Sequence, residues 1–434
     1  MTRLRWRPAT AARATALGVL AVLAAMPLSA YGAAKPAAPP AKVVHHEWTT
    51  DTDFARGTPE GVQPTGTGAI TFGTAAGSVD YTDPFGHGTR TWEYARWTGP
   101  EQSIGFDASE LIASWTADTP RNTWLRVEAR TKTAAGADTK WYVMGRWAAG
   151  DEDIHRTSVP AQGDDDATVA VDTLVAREGV AFTGYQLRVT LYRAPGTQAA
   201  PVLRSTGAMA SLVPERKTVP VSPGGEAWGV ELAVPPLSQH VHDGHYPEYG
   251  NGGEAWCSPT STAMVLDYWK HAPPAEDMSW VNPDDPDPQV DHAARHTYDF
   301  DYEGAGNWPF NVAYAGWYGM EGFVTRLRTV TELERFIKAG IPVVTSQSFK
   351  KNELPGAGYG TDGHLFLIVG FTETGDVIVN DPASADNAAV RHVYPRANFE
   401  NVWLRSSSSG GIAYIMRPPG VALPPNMPGM DPNW

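Results

Sequence analysis

The stretch GGEAWCSPTSTAMVLDYW, residues 252–269, contains the only cysteine in the chain of 434 residues. Two glycines precede this cysteine, and apolar side chains recur after it at helical spacing. Pro259 suits the first turn of a helix, where a backbone N–H has no partner in any case. We therefore predict a helix that begins beside Cys257. The dipole of such a helix lowers the pKa of a thiol at its N-terminal end.

The role of a lone thiol depends on the compartment that it enters. Arginines at positions 3, 5, 7 and 13 precede an apolar run from Ala16 to Ala25, and small residues follow around Gly32. This order is typical of a cleavable signal peptide, so we predict one over residues 1–32 and a secreted, extracellular protein. No segment reaches the roughly 18 continuous apolar residues that a membrane span requires.

A secreted chain with one cysteine has no partner for an internal disulfide. Cys257 is then buried and inert, joined to a cysteine of another chain, or a reactive thiol. The formal net charge of −14 becomes more negative when the arginines of the signal peptide are removed. Nucleic acids and anionic membranes are therefore poor partners for the mature chain.

Two domains are expected, because about 400 mature residues exceed what one hydrophobic core usually organises. Apolar and charged residues alternate in TWLRVEAR (123–130) and in YQLRVTLYR (185–193), which predicts half-buried antiparallel strands. These segments favour an all-β sandwich, jelly-roll-like, in the N-terminal half. The predicted organisation is a signal peptide over 1–32, an Ala/Pro linker over 33–45, the β-sandwich over 46–212, a linker over 213–234, an α+β domain over 235–420 and a C-terminal tail over 421–434.

The C-terminal half shows helical patterns first and strand patterns later. The segment TELERFIKAG predicts a helix that Thr331 caps and Gly340 ends. The segments IPVVTSQ, HLFLIVGF and DVIVND then predict the strands of an antiparallel sheet. This order predicts an α+β domain.

A reactive thiol also needs an imidazole that shares its proton and a group that orients the imidazole. His364 begins a predicted buried strand, which is rigid support for a catalytic group. Asp381 follows the next predicted strand. A loop over residues 371–374 would place the two side by side, whereas a tight turn centred on Thr374 and Gly375 would offset them by about four residues, or roughly 13 Å.

These residues belong to four segments whose order resembles a known family. The segments are SQ at 238–239, WCSPTSTAMVL from 256, GHLFLIVGF from 363 and NDPAS from 380. Residues 235–382 resemble the papain-fold cysteine peptidases related to the bacteriocin leader-processing (double-glycine) peptidases, in their stand-alone secreted form. The resemblance implies a papain-like amide hydrolase with Cys257 as nucleophile, His364 as general base and acid, and Asp381 as the group that orients the imidazole. It also implies an oxyanion hole formed by Gln239 and the Cys257 backbone N–H.

The sequence departs from the family pattern at two places. The family usually has glycine after the cysteine and glutamine about six residues before it. Here Ser258 follows the cysteine, and Gln239 lies eighteen residues upstream across an insertion. Asn251 occupies the six-residue offset, so either Gln239 or Asn251 is the oxyanion donor.

Two tryptophans and Asn251 are the predicted substrate-contacting residues. Trp256 directly precedes the cysteine. Trp308 lies in GNWPFN (306–311), where turn chemistry can project an aromatic ring into a cleft, although a packed tryptophan explains the same pattern.

Three segments resemble metal sites in composition. His240, His242 and His245 have nearly the spacing of zinc ligands, but Gly244 stands where such a motif needs aspartate. The acidic runs at 163–166 and 285–296 contain the carboxylates that calcium prefers. Solvated loops explain these segments better, so no metal and no cofactor is expected.

The sequence therefore predicts a secreted cysteine peptidase or amidase that acts through a thioester acyl-enzyme. The expected substrate is an extracellular peptide, a protein or a cell-wall peptide, and the β-sandwich is a candidate carbohydrate-binding domain by analogy of architecture alone. The alternative is a non-catalytic glycan- or wall-binding protein with a degenerate papain-like domain. Rapid alkylation of Cys257 at low pH distinguishes the two, because only a catalytic thiol is paired with an imidazole.

Overall fold

The computed structural model describes residues 39–434. The predicted signal peptide and residues 33–38 of the predicted linker lie outside the described residues. The described residues form one compact unit. Within it, no helix combines the length and the apolar composition needed to cross a membrane.

The N-terminal region consists mostly of antiparallel β-sheets, as predicted. Its elements are β1 Lys42–Trp48, α1 Asp51–Phe54, β2 Thr58–Glu60, β3 Val62–Pro64, β4 Ile70–Phe72, β5 Gly77–Asp83, β6 Gly88–Thr98, β7 Gln102–Ala108, β8 Glu110–Asp118, β9 Thr123–Thr133, β10 Tyr142–Trp147, β11 Ala167–Ala170, β12 Thr173–Ala176, β13 Phe182–Arg193 and β14 Val202–Leu212. One sheet has the order β11-β12-β8-β14-β4-β3, with β1 also paired to β14. The other has the order β10-β9-β13-β6-β2, with β5 on β6 and β7 on β13.

The alternation in TWLRVEAR sets the faces of β9. Leu125, Val127 and Ala129 are fully buried and belong to a core shared by residues of both sheets. On the other face Glu128 is also buried, because the guanidinium of Arg188 on β13 forms an ion pair with it at 2.8 Å. The strand is therefore covered more completely than simple alternation predicts.

The C-terminal region has helices first and a six-stranded antiparallel sheet later. Its elements are α2 Cys257–Trp269, α3 Pro288–Thr297, α4 Trp308–Trp317, β15 Glu321–Arg326, α5 Val330–Lys338, β16 Val343–Phe349, β17 Thr361–Phe371, β18 Val377–Asn380, β19 Arg391–Tyr394, α6 Arg396–Leu404 and β20 Ile412–Arg417. The sheet order is β15-β20-β16-β17-β18-β19. Helix α5 begins one residue before the predicted cap: Thr329, not Thr331, accepts a hydrogen bond from the Glu332 N–H at 3.1 Å.

The segments predicted as linkers and tail are packed. Residues 42–45 lie in β1, which pairs with β14 along its whole length. The 213–234 segment is held by Leu232, whose N–H donates to the Val369 carbonyl at 2.8 Å. Near the C-terminus, the amide of Asn433 is fully buried and donates to the Arg326 carbonyl. Their Pro-rich composition suggested connecting segments, but each one finds backbone partners on a neighbouring element.

A buried arginine joins the two regions. Arg156 of the N-terminal region has no exposed surface. Its guanidinium donates to the carbonyls of Ala148, Ala149 and Gly150, and at 2.7 Å to the carbonyl of Arg295 on α3. Because all four acceptors are backbone oxygens, the contact fixes the position of α3 against the N-terminal strands.

Candidate active site

Cys257 is the first residue of α2, as the sequence predicted, and its side chain is partly exposed. No side chain caps this end of the helix. The first backbone N–H groups of a helix have no partner within it, so they point toward any negative charge placed there. The backbone of Leu365 on β17 is also among the groups that lower the pKa of the thiol. The end of α2 and the middle of the sheet therefore meet at this thiol.

The structure brings His364 and Asp381 together. His364 lies on β17, Asp381 directly follows β18, and the imidazole Nε2 is 2.8 Å from Asp381 Oδ1. The register pairs Leu367 with Asn380 and contains a bulge between Ile368 and Gly370. His364 and Asp381 are consequently offset by about two residues on one face, a diagonal that long side chains span. The connecting turn covers residues 372–376, so the offset is intermediate between those of the two predicted hairpins.

Two tyrosines hold the Asp381 carboxylate from its other side. The hydroxyls of Tyr359 and Tyr394 donate to Oδ2 at 2.8 and 2.7 Å, and the backbone N–H of Ala383 donates to Oδ1 at 3.0 Å. Sequence reasoning missed both tyrosines. Tyr394 is positioned by the pairing of β19 with β18, in which it lies opposite Val377. No local sequence pattern predicts this contact.

The three groups shift each other's pKa. Burial alone would raise the pKa of the Cys257 thiol, but the charge of His364 and a hydrogen bond with its ring lower it below the ordinary value. Burial disfavours the imidazolium, yet Asp381 and Cys257 together raise the pKa of His364 to about 10. The pKa of Asp381 is lowered, because His364 and the tyrosine hydroxyls outweigh its burial. At neutral pH these shifts favour a thiolate beside an imidazolium.

The two candidate oxyanion donors have different surroundings. Gln239 is buried; its Nε2 donates to the Glu254 carbonyl at 3.0 Å, and its backbone N–H donates to the Pro382 carbonyl at 2.9 Å. Gln239 therefore connects the loop that precedes Cys257 with the turn that follows Asp381. The side chain of Asn251 is exposed, on a backbone with φ of 71°.

Two family models match the chain. Residues 44–211 match the Peptidase C39 N-terminal domain, and residues 231–410 match the Peptidase C39-like family. The chain resembles the C39 family of peptidases. This finding confirms the predicted resemblance and the two predicted domain regions, and it indicates a peptidase-type function.

Solved structures resemble parts of this C39-like chain at low identity. A C39-like peptidase from Bacillus anthracis is 20% identical, with 43% of this chain and 96% of that chain covered and a TM-score of 0.27. A LamA variant from Z. galactanivorans, in complex with laminaritriose and laminaritetraose, is 10% identical, with 39% of this chain and 98% of that chain covered and a TM-score of 0.20. No curated protein matches the chain.

The two predicted substrate-contacting tryptophans of the C39-like region differ in exposure. Trp256 is fully buried, and its indole N–H donates to the Tyr249 carbonyl at 2.7 Å. It therefore presents no surface to a ligand, contrary to the prediction, because the segment before α2 turns its ring into the core. Trp308 is the first residue of α4 and is partly exposed in the wall of a cavity.

The predicted zinc histidines separate into two groups. His242 and His245 share the buried carboxylate of Asp291, at 3.0 and 3.1 Å from their Nδ1 atoms. His240 instead contacts Asp243 at 2.9 Å. The first group is compact enough to bind an ion; within it, Asp291 accepts from both imidazoles, and the other ring nitrogen of His242 is buried without a partner among the described residues.

The acidic run at 163–166 is similarly engaged within the protein. Asp164 accepts a hydrogen bond from the Tyr142 hydroxyl at 2.6 Å and pairs with Lys140 at 3.1 Å. Its carboxylate therefore has a positive partner already.

Proposed function

We propose that the chain is a secreted cysteine peptidase in which Cys257, His364 and Asp381 form a papain-like catalytic triad. The observation that carries this proposal is the position of His364, whose Nε2 lies 2.8 Å from the Asp381 carboxylate and whose ring lowers the pKa of the Cys257 thiol. Cys257 begins helix α2 and His364 lies on strand β17, so two different elements of the C-terminal region hold the two groups. The peptidase-type function of the C39 family supports the same assignment.

The mechanism begins with the thiolate. The Cys257 sulfur attacks the carbonyl carbon of the scissile amide and forms a tetrahedral oxyanion. The backbone N–H of Cys257, at the unpartnered end of α2, donates to that oxyanion, and the second N–H of Gln239 Nε2 is the proposed partner. We favour Gln239 over Asn251 because Gln239 bridges the two segments that carry the thiol and the carboxylate.

His364 then acts as acid and as base. Its imidazolium protonates the leaving amine, the C–N bond breaks, and a thioester to Cys257 remains. The neutral imidazole next removes a proton from water, which attacks the thioester and releases the carboxylic acid and the thiol. Asp381 keeps the ring oriented throughout, because its own position is fixed by the two tyrosine hydroxyls.

The substrate class follows from the proposed compartment. We propose that the signal peptide directs the chain out of the cell and that the substrate is an extracellular peptide, a protein or a cell-wall peptide. Carbohydrate binding by the N-terminal region is a separate proposal, supported only by its β-sheet architecture.

A mixed peptide library tests the proposed activity. We expect the purified chain to generate new peptide termini, detected by mass spectrometry, and the Cys257→Ala variant to generate none, because no other group supplies the nucleophile. A matched control is Ser261→Ala, which removes a buried hydroxyl further along the same helix. Absence of cleavage by a folded wild-type chain that instead binds glycans or cell walls would support the non-catalytic alternative.

A further inference from the structure

A cavity of about 400 Å³ opens where the two regions meet. The N-terminal region contributes two carboxylates to its wall, those of Glu110 and Asp172. The C-terminal region contributes two aromatic rings, Tyr302 and Trp308, and the guanidinium of Arg326. The wall of the cavity therefore combines charged groups with aromatic rings, as ligand sites commonly do.

Asp172 lies in a tight turn that docks on the C39-like region. Strands β11 and β12 form a hairpin whose two-residue turn is Val171 and Asp172, with Val171 in the left-handed region at φ 60°. One oxygen of the Asp172 carboxylate accepts the backbone N–H of Trp308 at 2.8 Å, at the start of α4. The N-terminal region is thus fixed to the helix whose first residue lines the cavity.

The Asp172 carboxylate has no cation in contact with it. Its hydrogen-bond donors are the Trp308 N–H and the Thr173 hydroxyl, both neutral, and only 7% of the residue is exposed. Within residues 39–434, no side-chain cation forms an ion pair with it; the charge of Asp172 also acts on Arg326 in the same wall, but Arg326 pairs with Glu110. Burial, with a contribution from Asp299, raises the pKa of Asp172 to about 7. A ligand cation would stabilise the ionised form.

Tyr302 connects the cavity with the surroundings of the thiol. The loop that carries Tyr302 approaches the loop before Cys257. Gly304 belongs to the first loop and Gly250 to the second, and a Cβ added to Gly250 would lie only 3.7 Å from the Gly304 Cα. Burial is the largest cause that raises the pKa of the Tyr302 hydroxyl, and the charges of Asp172 and Cys257 are the next two causes. The charges of the cavity carboxylate Asp172 and of the Cys257 thiol therefore both act on Tyr302, which lines the cavity.

We propose that the cavity is a specificity subsite in which Asp172 binds a protonated amine or guanidinium of the substrate. The cation lies against the carboxylate and the aromatic faces of Trp308 and Tyr302, which attract positive charge. The source of the cation is either a lysine-like side chain or the ammonium group at a peptide N-terminus. This inference rests on the proposed peptidase function, because it places the subsite beside the bond that is cleaved.

Peptides that differ in one charge test the subsite. In the first series the peptide N-terminus is acetylated, and lysine, norleucine or glutamate is placed at successive positions around a cleaved bond. In the second series the peptide contains norleucine and its N-terminus is free. For wild type we expect kcat/KM to be about 10-fold or more higher for a cationic peptide than for its acetylated norleucine match, mainly through KM. A preference for lysine in the acetylated series identifies a side chain as the source of the cation, and a preference for the free N-terminus identifies the terminal ammonium group.

The Asp172→Asn variant is expected to reduce that preference to within about 3-fold, because it removes the charge and keeps an oxygen for the Trp308 N–H. The loss should be larger for the cationic peptide than for its norleucine match, which distinguishes a lost charge contact from general damage to the fold. The matched control is Asp165→Asn, an exposed carboxylate near the same hairpin, which should keep the wild-type preference. Wild-type hydrolysis without any preference for a cation, or a preference that Asp172→Asn retains, would overturn the subsite and leave the peptidase function intact.

Binding to the Cys257→Ala variant separates the two proposals. Calorimetry should show tighter binding of the cationic peptide, and the Asp172→Asn change in the same background should remove the difference. If wild type hydrolyses no peptide but this binding difference is present, the peptidase function fails and the cation site stands. Equal binding of both peptides would contradict the cation site, whatever the activity.

Discussion

Peptide hydrolysis by the His364→Ala variant is expected to fall by a factor of about 10⁴ or more in kcat. Two steps lose their catalyst at once. The thiol loses the positive charge that lowers its pKa, so little thiolate remains at neutral pH. The leaving amine also loses its proton donor. Steady-state rates on a cleaved library peptide measure the effect.

The matched control for this variant is His271→Ala. His271 follows α2 at the end opposite Cys257, and its Nδ1 lies 2.7 Å from the Tyr318 carbonyl oxygen. Its rate should stay within about 3-fold of wild type, since a helix of this length separates it from the thiol by about 18 Å. Equal rates for wild type and a folded His364→Ala variant would exclude the proposed acid and base.

The Asp381→Ala variant is expected to lose both activity and stability. Removing the carboxylate leaves His364 Nε2 and the hydroxyls of Tyr359 and Tyr394 buried without their acceptor. Loss of one partner from such a buried network costs about 3–5 kcal/mol in the free energy of unfolding. Urea unfolding measures this cost, and kcat should fall by about 10²-fold or more because the imidazole is no longer oriented.

The Asp381→Asn variant separates the charge from the hydrogen bonds. Its amide oxygen can accept from His364 Nε2, so we expect smaller losses of activity and stability than for alanine. The folded-state pKa of Asp381 is lowered, so its charge stabilises the fold above the unfolded pKa of about 3.9. The stability difference between wild type and Asp381→Asn should therefore shrink as the pH falls below about 4. A difference that grows toward low pH, or equal effects of asparagine and alanine, would contradict this role.

Local sequence signals predicted the parts of the site that depend on a single element. Glycines, a proline and helical spacing identified Cys257 as a helix start, and α2 begins there. An apolar run identified the strand that supports His364. The meeting of His364 with Asp381 depended on the register of the hairpin, which shifts at a bulge between Ile368 and Gly370. Gly370 is a local signal for such a bulge, but the apolar pattern alone does not fix the register.

The remaining parts depend on contacts between distant segments. Tyr359 and Tyr394 reach Asp381 only because strands β17, β18 and β19 lie side by side. Asp172, in a region predicted to be a separate domain, contacts α4 through a backbone N–H 136 residues later in the chain. The prediction that Trp256 contacts substrate was wrong, because its position next to the cysteine in the sequence does not determine on which side of the backbone its ring lies.

The pH dependence of Cys257 alkylation by iodoacetamide tests the central claim most directly. With the thiol pKa lowered and the pKa of His364 raised to about 10, the rate in wild type should level off at a lower pH than that of an ordinary thiol, whose pKa is about 8.5. In His364→Ala it should rise about tenfold per pH unit toward a pKa near that of an ordinary thiol, about 8.5. The same alkaline profile in wild type and variant would show that the Cys257 sulfur shares no proton with the His364 imidazole.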